Sequence, residues 1–501
     1  MSATPAANHD WLHERAQRRP DRPALIDDEQ TWSFAELDAL SDRITNGLAK
    51  SGSRRGDRIA LLAASTASTV AAVHAVPRSG ATLVPLNTRL TEPELRDQIR
   101  IARPSAVIVD GPNGVLAGAV AEDAAVLELG ELSSGSGSSP PRTTIEADFP
   151  HTVMFSSGTT GAAKGVQLSA ANHYHSAIAA MINLGVSEAD RWLCCVPLFH
   201  MAGLSILLRS AIFGIPVVLQ RDFHPDDANR AIEMQGVSIA SLVPTMLSRM
   251  LDARGDEPFP TTFRCALTGG GSLSQDLLRR CATAGVPVTQ TYGLTETASQ
   301  VVTLAPSESL TRLGAAGKAL WGSAIRVVDD DGKAVPADCP GEIQIAGPSV
   351  MAGYLDDPDA TARAFDGEWL RSGDIGRIDV DGYLHVLNRR TDLIISGGEN
   401  IYPAEVESVL LSHPGVQEAA VVGVPHPDWG QRPVAFVVPR GASDGAAADE
   451  LAAHCAANLA RYKCPDTIHF VDALPRTAAG KLQRHLLREP VSSDERPDAP
   501  A

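Results

Sequence analysis

A chain of 501 residues is too long for one small hydrophobic core and points to two or more domains. Its 44% hydrophobic and 21% charged residues are ordinary for a soluble globular protein. The formal net charge of −17 argues against nucleic acid and against an anionic membrane surface as main partners, because both are bound through clustered Lys and Arg.

The first residues, MSATPAANHDWLHERAQRRPDRP, lack the apolar core of a signal peptide. The best apolar run, Ser210–Leu219, is too short to span a bilayer and is broken by Pro216. The seven cysteines show no repeated CxxC spacing, and Cys194 and Cys195 sit side by side in an apolar stretch. We expect reduced thiols in a cytoplasmic protein, core packing for that pair, and no structural zinc.

In chain order, Arg58–Ala63 and Ala106–Asp110 read as buried strands, and Thr91–Arg100 as a helix between them. This alternation is the pattern of βαβ units around a parallel sheet. Residues 133–142, SSGSGSSPPR, read as a flexible linker or loop. The apolar run Thr152–Phe155 follows and leads into residues 156–165, SSGTTGAAKG. The strand pattern resumes through Val217–Leu219, Ile239–Val243 and Pro287–Gln290. From about residue 325 the texture changes. Asp331-Gly332 and Asp381-Gly382 each sit between alternating apolar residues and read as tight hairpin turns. The last part combines strands at Glu418–Gly423 and Val434–Val438 with a helix near Asp449–Leu459. Beyond about Glu489 the chain is rich in Pro, Ser and Asp, the composition of a disordered tail.

The stretch at 156–165 has the inventory of a polyphosphate site. Ser156, Ser157, Thr159 and Thr160 offer hydroxyls, Gly158 and Gly161 let backbone N–H groups approach an anion, and Lys164 supplies charge. It is not a Walker loop, which needs a glycine five residues before its Gly-Lys pair, and it is not a GxGxxG turn. An exposed Gly/Ser loop would have the same composition, so the stretch alone leaves both readings open.

Four further stretches, in order, accompany it: Gly269-Gly270-Gly271, Gln290–Glu296 (QTYGLTE), Trp369–Asp374 (WLRSGD) and Pro475–Lys481 (PRTAAGK). Together with 156–165 they resemble the adenylate-forming superfamily of acyl-CoA synthetases, peptide-synthetase adenylation domains and luciferases. The resemblance covers most of the chain. It implies an α/β fold with a large N-terminal domain of stacked mixed β-sheets with flanking helices over residues 1–388. A small mobile α+β C-terminal domain would follow over 389–488, with a disordered tail at 489–501.

It also implies the chemistry and its parts. A carboxylate attacks the α-phosphorus of ATP, releasing pyrophosphate and leaving an acyl-adenylate, which a thiol then takes up. Lys481 would bridge the acid's carboxylate and the α-phosphate. The 156–165 loop with Lys164 would hold the β- and γ-phosphates. Thr295 would hold the α-phosphate and Glu296 a Mg²⁺ ion. Tyr292 and Gly269–Gly271 would flank adenine, and Asp374 with Arg389 would grip the ribose. Thr391, two residues after Arg389, falls at the hinge of the small domain. Ile394–Glu405 resembles the matching segment of CoA ligases, where Gly397 and Gly398 would let a pantetheine arm pass close to backbone. The peptide-synthetase motif with an acid for a substrate amine is replaced here by Phe199-His200-Met201, which disfavours an amino-acid substrate.

Within the superfamily, Trp192–Ser205, His9–Leu12, Gln290 and Thr297–Gln300 resemble the 2-succinylbenzoate–CoA ligases of menaquinone synthesis. That substrate carries a second carboxylate on its ring. If a helix starts near Gly203, Ser205 and Arg209 share one face. Arg209 is then either the partner of the ring carboxylate or a surface arginine lying along an apolar helix. Gln290 is a further acid-binding candidate, and His200 a gate over the path of the carboxylate. The implied small molecules are a carboxylic acid, ATP, Mg²⁺ and coenzyme A, with no nucleic acid and no membrane insertion; a homo-oligomer is left open. A generalist medium-chain or aryl acyl-CoA synthetase would share every nucleotide motif and differ in the acid pocket. A non-catalytic nucleotide-binding protein should have lost Lys481 or Glu296, and both are present.

Overall fold

In a computed structural model the described residues are 8–28, 30–135, 143–157, 163–271, 273, 275–309, 311–312, 314–388, 393–440, 448–475, 482 and 484–487. They form two compact units, a large one within residues 1–156 and 163–390 and a small one within residues 157–162 and 391–501.

The large unit contains the expected α/β pattern. Val- and Ile-rich runs that are buried along their whole length form parallel strands, as a sheet covered on both faces requires. Ala106–Val109 is such a run, paired parallel to Arg58–Leu62, which in turn pairs parallel to Thr82–Pro85. These belong to a seven-stranded sheet ordered Gly353–Tyr354, Ala163–Ser169, Pro150–Ser157, Thr82–Pro85, Arg58–Leu62, Ala106–Val109, Ala125–Glu128. A nine-stranded sheet runs Lys318–Ala319, Ser299–Thr303, Val288–Leu294, Cys265–Thr268, Ile239–Leu242, Trp192–Cys194, Val217–Leu219, Pro23–Ile26, Thr31–Ser33. One apolar core joins side chains of both sheets, among them Ile59, Leu83, Ile108, Trp192 and Val217, with those of the helices Phe34–Lys50, Ala67–Arg78 and Met201–Phe213.

A third sheet of the large unit is antiparallel and includes Ala324–Val328, Gly341–Ala346, Trp369–Ile378 and Leu384–Asn388. Its two predicted hairpins use one device twice. Asp329 Oδ1 accepts from the N–H groups of Asp331 and Lys333, and Gly332 takes φ +77°. Asp379 Oδ1 accepts from Asp381 and Tyr383, and Gly382 takes φ +84°. The side-chain acceptor closes the loop, and glycine supplies the left-handed residue that the turn needs.

The beginning of the large unit is held by a buried cation. Asp10 caps the helix Trp11–Arg18 by accepting from His13 N. The same carboxylate takes Arg78 Nε at 2.8 Å, while Asp38 and Asp42 take the other guanidinium nitrogens at 2.5 and 2.7 Å. Burial opposes the charge of Arg78, but the three carboxylates outweigh it and push its pKa up. Arg15, on the same first helix, donates Nε to Ala211 O at 3.1 Å and also binds Ile212 O.

The small unit is α+β. Its antiparallel pair Val416–His426 and Gly430–Pro439 carries Thr467–Phe470 parallel to the latter, with the helices Pro403–Ser412 and Ala448–Asn458 packed against it. Two details differ from the sequence reading. Ser133 and Ser134 close a helix, Leu129–Ser134, rather than opening a linker; residues 136–142 lie outside the described residues, as does the tail. The strand expected at Pro287–Gln290 continues to Leu294, because antiparallel pairing with Ser299–Thr303 carries it on. All seven cysteines are free, and burial pushes the Cys195 thiol up to about 12, so it is a packing group. Among the described residues no helix is long and apolar enough to cross a membrane, and no cluster of His, Cys, Asp and Glu could hold a metal.

Candidate active site

The segment QTYGLTE builds a strand that ends in a bent turn. Gly293 has no room for a side chain: a Cβ there would lie 2.0 Å from Ser299 O. The close approach lets the chain fold back at Thr295–Thr297, a single 3₁₀ turn. Thr297 ties it shut, its Oγ1 accepting from Leu294 N at 2.9 Å. The chain then passes through Ala298 and Ser299, both at positive φ, +52° and +102°. For residues with a Cβ that conformation is strained, and the surrounding contacts must hold it.

Glu296, at the tip of this turn, meets two residues of the seven-stranded sheet. Ser156, near the end of Pro150–Ser157, donates to Glu296 Oε1 at 3.3 Å, and Tyr354 OH donates to the same oxygen at 3.0 Å. Tyr354 pairs with Val166 across the strand that carries Lys164, whose Nζ sits 4.9 Å from the centre of the Tyr354 ring. Ser156, Lys164 and Glu296 are therefore neighbours, and Tyr354, which the sequence reading did not single out, joins them. Among the described residues no cation pairs with Glu296. A carboxylate flanked by hydroxyls suits a hard divalent ion that keeps water and phosphate oxygens as its other ligands, so the residues present fit Mg²⁺ at Glu296.

The expected adenosine residues also converge. Tyr292 OH donates to Asp374 Oδ2 at 2.8 Å, and both side chains are buried. Asp374 is oriented by its own N–H, which donates to Ser372 Oγ at 3.0 Å. Gly269 follows the strand Cys265–Thr268, and a Cβ there would press on Thr291 at 2.8 Å; Gly270 takes φ +76°, and Gly271 follows it in the loop. Thr295 is half-buried in the turn beside Glu296.

Arg209 is not on the surface. The helix Met201–Phe213 starts at the predicted place, with His200 as its N-cap residue, and it buries the guanidinium to 2% exposure. Gly203 allows that start, because a Cβ there would lie 2.2 Å from Pro197 O. Arg209 Nη1 donates to Gln300 Oε1 at 2.9 Å and Nη2 to Ser176 Oγ at 3.2 Å, and its Cζ lies 5.8 Å from the centre of the Trp192 ring. Among the described residues no carboxylate pairs with it. Burial without a counter-charge lowers its pKa to about 9, which still leaves it charged at neutral pH. Nearby His173 binds Thr152 Oγ1, and burial, aided by the charge of Arg209, holds it at about 3 and therefore neutral.

The other predicted acid-side residues are placed less directly. Ser205 is buried but turns its hydroxyl back to Ala202 O, so it does not join Arg209. Gln290 has no side-chain hydrogen bond among the described residues, and Arg209 is held by Gln300 and Ser176. The Phe199 and His200 rings meet edge to face at 4.8 Å. Gly397 and Gly398, at φ +58° and +88°, form the two-residue turn between the strands Ile394–Ser396 and Glu399–Ile401, and a Cβ on Gly397 would lie 2.6 Å from the Trp429 ring. The turn requires glycine on these local grounds alone. Gly158, Thr159, Thr160, Gly161, Arg389, Thr391 and Lys481 lie outside the described residues, as does the side chain of Ser157.

Against known proteins, residues 12–355 match the family model of the AMP-binding enzymes, and residues 405–481 match that of the AMP-binding enzyme C-terminal domain. A 2-succinylbenzoate–CoA ligase of Geobacillus kaustophilus is 46% identical over 487 residues, covering 97% of this chain and 98% of that protein. The o-succinylbenzoate CoA synthetase of Bacillus subtilis, solved as a double mutant bound with its product analogue, is 41% identical, with a TM-score of 0.91 over 97% of this chain and 98% of that one. The same synthetase in complex with ATP and magnesium ion is 42% identical, with a TM-score of 0.74 over 95% of this chain and 99% of that one.

Proposed function

The chain belongs to the AMP-binding enzyme family, and from that we propose that it is a cytoplasmic ATP-dependent 2-succinylbenzoate–CoA ligase of menaquinone biosynthesis. It joins the acid to ATP as an acyl-adenylate, releasing pyrophosphate, and then passes the acyl group to coenzyme A with loss of AMP. Residues 1–388 bind ATP and the acid; residues 389–488 carry Lys481 and the path for the thiol, with Thr391 as the hinge.

Both partners of the first step are anionic, so the protein's task is positioning and charge neutralisation rather than covalent chemistry. Ser156, Lys164 and the loop between them cradle the β- and γ-phosphates. Thr295 and Lys481 take the α-phosphate, where charge builds up as the carboxylate attacks. Tyr292 and Asp374 act as one unit, the ring against adenine and the carboxylate accepting from the ribose hydroxyls, while Arg389 completes the grip. Glu296 is the residue that would hold Mg²⁺, and an ion there would neutralise phosphate charge during the transfer. His200, at the N-terminus of the Arg209 helix, gates the path of the acid. Gly397 and Gly398 border the thiol's route.

The choice of acid is carried by one observation. Among the described residues, the buried guanidinium of Arg209 hydrogen-bonds only to neutral oxygens. A buried charge left so is costly unless a partner of opposite sign arrives. An acid with a second carboxylate supplies that partner, through a charge-assisted contact that a monocarboxylic acid cannot make. Pyrophosphate release across a panel of acids tests this. The wild type should prefer 2-succinylbenzoate. Arg209→Ala should lower kcat/KM for it by on the order of 10² or more, and should change a monocarboxylic aryl-butanoate far less. Equal losses on both acids would make Arg209 a structural residue. Better wild-type activity on plain fatty or benzoic acids would overturn the choice of substrate.

A further inference from the structure

The helix Ala170–Leu184 lies between the acid-side arginine and the Glu296 turn, and it touches both through buried hydrogen bonds. Ser176, 2% exposed, accepts from Arg209 Nη2 at 3.2 Å and donates its own proton to Ala298 O at 2.8 Å. Ala298 is one of the two residues held at positive φ immediately after Glu296 and Thr297. One turn earlier, Asn172 donates to Pro348 O at 2.8 Å and Val350 O at 2.9 Å. The next residue, Met351, donates its N–H to the carbonyl of Glu296 itself at 2.8 Å. On the other side of Arg209, Gln300 accepts from the guanidinium and passes a hydrogen bond to Thr303 Oγ1 at 3.0 Å, which lies 2.9 Å from Thr291 Oγ1. Thr291 is the residue against which Gly269 packs.

We infer that Ser176 is a positioning residue that couples occupancy of the acid site at Arg209 to the binding of the nucleotide at the Glu296 turn. Ser176 has one proton and gives it to a carbonyl whose residue is strained. An ionic donor on its oxygen polarises the hydroxyl and strengthens that second bond. A carboxylate that pairs with Arg209 competes for the guanidinium and alters what Ser176 receives, and the change is read at Ala298. The coupling is therefore specific to an acid that engages Arg209. By linkage it is reciprocal: nucleotide at the turn changes affinity for the acid by the same factor as acid changes affinity for nucleotide. The inference rests on the substrate reading above, because it needs an acid that reaches Arg209.

Calorimetry on the full chain separates the two. Affinity for 2-succinylbenzoate and for a monocarboxylic aryl-butanoate is measured with and without Mg²⁺ and α,β-methylene ATP, which cannot transfer its adenylyl group. In the wild type, the nucleotide should change affinity for 2-succinylbenzoate by roughly fivefold or more, and for the monocarboxylic acid by less than about twofold. Ser176→Ala should bring the first factor down to the second, while each ligand still binds alone. Ser176→Thr, which keeps the hydroxyl, should restore it. A factor that is the same for both acids in the wild type overturns the coupling without recourse to any variant, as does a factor unchanged in Ser176→Ala. If the wild type binds 2-succinylbenzoate alone no better than the monocarboxylic acid, the substrate reading fails first.

Discussion

Arg209 has a stability consequence opposite in sign to its proposed role in binding. Its guanidinium is charged at neutral pH and buried, and among the described residues its hydrogen bonds go to Gln300 and Ser176 alone. Removing a buried charge in favour of a packed apolar side chain is often neutral or stabilising. Arg209→Met should therefore raise the unfolding free energy of the ligand-free protein by about 1–3 kcal/mol, read as a higher urea midpoint at unchanged m-value. The same variant should lose the thermal stabilisation that 2-succinylbenzoate gives the wild type. A lower midpoint without ligand would mean that the bonds to Gln300 and Ser176 outweigh the cost of burying the charge. The arginine itself was legible in the sequence, standing between Leu208 and Ser210 on an apolar helix. Its partners were not. Ser176 lies mid-helix among alanines, and nothing in its spacing marks a serine whose partners are 33 and 122 residues away. Gln300 fell within a recognised stretch, but only the fold shows that it reaches the guanidinium.

The turn at Gly293–Ser299 is the element on which the proposed nucleotide residues Thr295 and Glu296 depend. Its glycine is required by backbone, not by a flexible neighbour: a Cβ on Gly293 would lie 2.0 Å from Ser299 O and 2.7 Å from Gln300 Cα. Gly293→Ala should therefore force the two strands apart, costing at least the 1–3 kcal/mol typical of overpacking, and should raise KM for ATP by displacing Glu296 and Thr295. Gly285→Ala is the control, since nothing lies within 4 Å of its Cβ and only its positive φ is strained. Equal losses in both variants, with ATP binding intact, would remove the turn from the nucleotide site. Elements of this kind read well from sequence because glycines and capping residues announce local geometry: the paired Asp-x-Asp-Gly hairpins landed where expected. Tyr354 did not, because an aromatic residue on a two-residue strand carries no periodic signal and its contact with Glu296 spans 58 positions.

Across the large unit, three buried histidines tie stability to pH. Burial lowers His74 to about 4 and His173 to about 3, and it holds His151 well below its usual value. Each is neutral in the folded protein while its unfolded counterpart takes up a proton below about 6.5. The unfolded chain then binds more protons, so stability is lost as pH falls from about 6.5 toward 4, by up to about 1.4 kcal/mol per pH unit for each histidine. Urea midpoints at pH 7 and pH 5 should show the fall, and His173→Asn should flatten it whatever it does to stability at pH 7; an unchanged slope would exclude His173. The anchoring of the first helix acts on the scale of time instead. Arg15 is held by the carbonyls of Ala211 and Ile212, the nearer 196 positions along the chain. At the ribosome's pace of about 5–20 residues per second, those partners are made about 10–40 s after the helix. For that interval Trp11 and Leu12, both buried in the finished protein, belong to a helix that can already meet Phe34–Lys50 and Arg78 but not the part of its receiving surface that Met201–Phe213 supplies. The first helix to be translated is thus seated in two stages, and a nascent chain arrested before Ala211 leaves uncovered the side of it that Met201–Phe213 closes.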